Sequence, residues 1–104
     1  MLNDSLRLVT CVPFATDSDG DVLLRVKIER RNFIARLMYP EERKIQLDRL
    51  GSRVWIKIQE GLTYLQIRTA IKREFPHEPD LEKRFETFVI HLCRSNWAKP
   101  HEET

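Results

Sequence analysis

Glycine is scarce, at three in 104 residues. That leaves no glycine-rich loop to cradle a phosphate, and no Gly-x-Ser-x-Gly turn to activate a serine. Only two cysteines are present, Cys11 and Cys93. They are far apart, match neither metal-ligand nor redox spacing, and are expected to be buried, reduced thiols. The histidines, His77, His91 and His101, form no HxxxH, HxH or Cys–His pattern, so no metal site and no cofactor is expected. No apolar run approaches the roughly 18 residues of a membrane span. The opening MLNDSLRLVTCV lacks a basic stretch followed by a long apolar one, so a cytoplasmic, membrane-free protein is expected. Carboxylates are plentiful but fall in turns and on polar helix faces, and no constellation argues for catalysis.

What is present is charge, at 33% of residues, around an ordinary apolar fraction of 41%. One domain with one core fits this length: a core over about residues 6–95 and a frayed tail from 96 to 104. The net charge of +2 conceals a basic middle. Residues 43–73 carry eight Lys/Arg against Asp48 and Glu60, which suits either an acidic partner or a solvated helix surface.

Leu6–Phe14 and Val22–Ile28 read as strands joined through ATDSDGD, a hairpin with a longish turn. Arg30–Pro40, RRNFIARLMYP, fits a short helix or a strand. Lys44–Leu47 alternates as a half-buried strand does and runs without a spacer into a helix capped by Asp48. That helix turns Leu50, Val54, Trp55 and Ile58 to one side and ends at Gly61. A second helix has Thr63 as N-cap, Gln66 at the capping-box position, and Leu62 and Ile67 placed for a hydrophobic staple. A third begins near Pro79–Asp80, with Asp80 and Glu82 favourable to the helix dipole, and buries Leu81, Phe85, Phe88, Val89 and Leu92. Gly51 and Ser52 are read as small residues that permit close approach of a neighbour. The expected class is α+β: a small three-stranded antiparallel sheet packed on a three-helix, winged-helix-like bundle.

The segment LDRLGSRVW, then Gly61, then TYLQIRTAIKREF, then a third helix with FETFVIHL resembles the PqqD family, the peptide-chaperone fold also called the RiPP recognition element. Leu47, Asp48, Leu50, Gly51, Trp55, Gly61, Thr63, Ile67, Phe88 and Leu92 match its pattern. Asn96-Trp97 stands where the family has Gly-Leu. The resemblance implies a non-enzymatic domain that binds the leader of a ribosomally made precursor peptide. The leader adds as a strand and is presented to a modifying enzyme, commonly a radical-SAM enzyme. The peptide-facing groups it implies are Lys44, Ile45 and Gln46 on the strand, and Leu81, Arg84, Phe85, Phe88 and His91 on the third helix. Phe85 and Phe88 are read as part core and part groove floor; Arg84 and His91 meet either acidic leader side chains or water. Two other readings compete. One is a winged-helix nucleic-acid binder, disfavoured by the acids on the third helix. The other is a scaffold whose strand edge pairs with its own copy as a homodimer.

Overall fold

The computed structural model describes residues 3–27 and 42–101. The Arg30–Pro40 segment lies outside the described residues. Among the described residues eight elements follow in order: β1 (Leu8–Thr10), β2 (Phe14–Thr16), β3 (Val22–Lys27), β4 (Glu42–Gln46), α1 (Arg49–Gln59), α2 (Tyr64–Glu74), α3 (Leu81–Arg94) and β5 (Ala98–Pro100). β2, β3 and β4 form an antiparallel sheet in that order, and β1 pairs with β5 in a separate ribbon. The α+β class and the three-stranded sheet beside three helices are as the sequence predicts.

Two expectations are corrected. The first strand does not run from Leu6 to Phe14. It divides around Cys11–Pro13, because Pro13 lacks an N–H for a continuous ladder. Its first part joins the ribbon and its second part joins the hairpin. Nor is the tail frayed through Ala98–Pro100, which pairs Leu8 with Pro100, Val9 with Lys99 and Thr10 with Ala98. Ala98 is buried in the core beside Leu8. Pro100 can end β5 because a strand in a two-stranded ribbon uses only one set of backbone groups.

The helix ends explain the short connections. At the end of α1, Gly61 takes φ 79°. The Gly61 N–H donates to the Ile58 carbonyl at 3.0 Å and the Leu62 N–H to the Lys57 carbonyl at 3.4 Å, which is a Schellman motif. α3 ends in the same way, with Asn96 at φ 60°. Asn96 N–H donates to Cys93 O at 3.2 Å and Trp97 N–H to Leu92 O at 3.0 Å. Asn96 thus does the work a glycine does after α1, since asparagine tolerates the left-handed region best among non-glycine residues. At the start of α2 the Thr63–Gln66 capping box is present in both directions. At the start of α3, Asp80 sits left-handed at φ 54° and makes no side-chain cap. Its nearby acid, Glu82, pairs instead with Lys72 of α2.

α1 lies at the centre and touches the sheet, the ribbon and both other helices. Trp55 and Val54 are fully enclosed. The Trp55 ring meets Phe14 of β2 edge-on at 5.8 Å, while Phe85 of α3 stacks on Tyr64 of α2 at 4.9 Å.

The direct passage from β4 into α1 has a local cause. Leu47 N–H donates to Val22 O at 2.9 Å, but the return bond of that rung is not made directly. The Ser52 hydroxyl, 1% exposed, accepts from Val22 N–H at 2.7 Å and donates to Leu47 O at 3.4 Å. The first turn of the helix therefore completes the last rung of the sheet, and a longer connection would pull the two apart. Ser52→Ala is expected to leave the buried Val22 N–H unpartnered and to cost about 1–3 kcal/mol. Urea denaturation of the two proteins, with unchanged m-value, measures this.

Candidate functional site

β4 is an outer strand: β3 lies on one side, and on the other no described strand pairs with it. The phase of its backbone follows from the Leu47–Val22 bond. Directly opposed residues of an antiparallel pair alternate between bonded and non-bonded. With Leu24 opposite Ile45 and Val26 opposite Arg43, Leu47, Ile45 and Arg43 turn their N–H and C=O groups toward β3. Lys44 and Gln46 turn theirs outward. Side chains alternate accordingly: Ile45 is partly buried against the core, and Lys44 and Gln46 are exposed.

The Gln46 side chain is already engaged. Its amide donates to Asp17 Oδ2 at 3.2 Å, tying the end of β4 to the hairpin turn. Asp17 organises that turn by accepting from the N–H groups of Asp19 at 2.9 Å and Asp21 at 3.0 Å. The Asp21 N–H above all holds the Asp17 carboxyl below its ordinary value, with the bonds from Asp19 and Gln46 adding to it.

The second part of the site is one stripe of α3. Asp80, Lys83, Arg84, Thr87, Phe88 and His91 line an open groove of about 540 Å³. Helical periodicity puts these positions on one face. Arg84 pairs with Glu78 at 2.8 Å. His91 packs edge-on against Trp97 at 5.2 Å. Phe88, half-buried, is the apolar centre of the stripe.

The two parts meet where β4 becomes α1. A Cβ on Gly51 would stand 3.2 Å from the Phe88 ring and 3.0 Å from Asp48 Oδ1. Asp48 is held there because its carboxylate caps α1, accepting from Gly51 N–H at 2.7 Å. The bare glycine lets the ring lie against the helix start, the close approach that Gly51 and Ser52 suggest. Among the described residues, no Cα of β4 comes within 8 Å of a Cα of α3. β4 and α3 therefore do not pack directly on each other.

The residues singled out from the sequence fall into three groups. Arg84, Phe88 and His91 share the groove. Lys44, Ile45 and Gln46 form the outer strand, with Lys44 and Gln46 supplying its outward backbone. Leu81 and Phe85 belong to neither. Leu81 packs at the margin of the core, and Phe85 is a core residue, 1% exposed and stacked on Tyr64. Lys83 and Thr87 also line the groove; the i, i+3, i+7 spacing from Asp80 through His91 was the signal for them.

Comparisons with protein-family models, curated proteins and solved structures give no match. The site is therefore described by its own geometry. No group of His, Cys, Asp and Glu among the described residues could hold a metal ion, and no described helix is long and apolar enough to cross a membrane.

Half of the eight basic residues between 43 and 73 are matched by acids. Arg49 pairs with Asp21 at 3.0 Å, Lys57 with Glu74 at 2.9 Å, Arg68 with Asp4 at 3.1 Å, and Lys72 with Glu82. Exposed pairs of this kind add little stability, but they cancel much of the field a polyanion would meet.

Proposed function

We propose that this chain is a peptide-binding module of the PqqD kind: it takes the leader segment of a ribosomally made precursor peptide as an added strand along β4 and presents it to a modifying enzyme, a radical-SAM enzyme or another. The chain itself carries out no chemistry in this reading. The supporting observation is the outer strand whose Lys44 and Gln46 backbone groups point away from β3, beside the Phe88 stripe of α3. Main-chain bonds to such an edge supply affinity without demanding a sequence, and pockets for alternate side chains supply selectivity. A guest residue opposite Ile45 turns its side chain to the helix side of the sheet, and its two neighbours turn theirs to the Lys44 side.

Titration of isotope-labelled protein with a candidate leader peptide tests this. Amide shifts are expected at Lys44–Leu47 and along Asp80–His91. Shifts confined to Arg68–Arg73 would overturn the proposal. A nucleic-acid reading is less well supported, because four of the eight basic residues between 43 and 73 already have acidic partners.

A further inference from the structure

The lining of the α3 groove runs from Asp80 to His91, about 16 Å of helix. The groove therefore follows the α3 axis and takes roughly five residues of extended chain. Phe88 is its apolar centre, with the ring against the bare backbone of Gly51. Arg84 stands one helical turn before Phe88 on the same side, roughly 6 Å along the axis. Its Nη1 donates to Glu78 Oε2 at 2.8 Å. Among the described residues, that leaves the Nε–Nη2 edge of the guanidinium for a second carboxylate. The pair is open to water, with Arg84 43% and Glu78 45% exposed. Lys83, on the far rim, has no acidic partner among the described residues. Asp80 is the one carboxylate in the lining, and it sits at the start of α3, where the positive end of the helix dipole offsets its charge. Around the apolar centre, cations thus outnumber acids two to one.

We infer that the leader segment held here carries an apolar side chain and, two residues away, a carboxylate: the first seats on Phe88 and the second on Arg84. The inference rests on strand addition at β4. Side chains on one face of a strand recur every second residue, about 6.7 Å apart, which matches the one-turn step from Phe88 to Arg84. The residue between them points to the opposite face, the Lys44 side, and takes no part in this choice. Glu78 holds the guanidinium by one nitrogen, and the fork on its other edge donates two parallel bonds to the guest carboxylate. A lysine in that place would offer a point charge without the fork. Contact with Phe88 supplies affinity and the Arg84 pair supplies selection, since an exposed ion pair changes affinity by only a few-fold.

The test uses short fluorescein-labelled peptides of serine and threonine with one central leucine. Glutamate, glutamine or lysine is placed two residues to either side of the leucine, or directly beside it. Anisotropy titrations of the whole protein are paired with amide shifts. On one of the two sides, glutamate two residues from the leucine is expected to bind about threefold more tightly than glutamine at the same place, and lysine more weakly than glutamine. Added salt shrinks the difference. Arg84→Gln is expected to erase it while leaving the glutamine peptide's affinity and the thermal midpoint unchanged; Arg84→Lys keeps only part of it. Equal affinity for the glutamate and glutamine peptides, with shifts still at Lys44–Leu47, overturns this inference and leaves strand addition standing. A preference that survives Arg84→Gln overturns it as well. Shifts absent from Lys44–Leu47 with every peptide overturn strand addition, and this inference with it.

Discussion

Lys44→Pro is expected to weaken peptide binding by about tenfold or more while the protein stays folded. The argument is one of backbone phase. Lys44 turns its N–H outward and Ile45 turns its own toward Leu24. A proline at 44 removes an outward donor and sets a ring across the path of a guest strand, yet spares the β3–β4 ladder; edge strands accept proline at such positions. One net hydrogen bond contributes roughly 0.5–1.5 kcal/mol, and the steric block adds to that, which together reach the 1.4 kcal/mol or so of a tenfold change. Ile45→Pro is the contrasting variant. It removes a donor inside the sheet and should lower stability first. Fluorescence anisotropy with a labelled leader peptide, alongside thermal melts, separates the two effects. Equal affinity for wild type and Lys44→Pro would rule out strand addition at β4.

The largest loss of stability is expected from Trp55→Ala, at about 3–5 kcal/mol. Trp55 is fully enclosed, sits on the central helix and is the one residue of α1 shown in ring contact with the sheet, through Phe14. Truncation leaves a cavity where sheet and helices converge. The melting temperature of a domain this size shifts by roughly 4–8 °C for each kcal/mol, so a fall of at least about 12 °C follows. Trp55→Phe should cost much less. It keeps most of the ring and also removes the buried indole N–H, which has no hydrogen-bond partner among the described residues. Calorimetry on both variants measures this; similar losses would mean that the indole N–H matters more than the volume.

The helices were legible because their signals are local. Asp48, Thr63–Gln66 and Gly61 act within one turn of their own chain, through hydrogen bonds that any tertiary setting must respect. The groove stripe was half legible for a related reason: periodicity puts Arg84, Phe88 and His91 on one face, but cannot say that Phe85, on an adjacent face, is closed over by Tyr64. The ribbon was not legible. Leu8–Thr10 and Ala98–Pro100 are three residues each, too short for a pattern, and their pairing joins opposite ends of the chain.

By itself, then, the sequence determined the class of fold, the three helices with their caps and ends, and the alternation of β4, because propensity, capping and periodicity are properties of neighbouring residues. Only the tertiary structure decided which strand is outermost, that Ser52 bridges the last rung of the sheet, that Phe85 is core and Phe88 groove, and that Cys11 is exposed and Cys93 only partly covered where both were expected to be buried. Each of these depends on groups far apart in the chain, whose positions are fixed by how the elements pack.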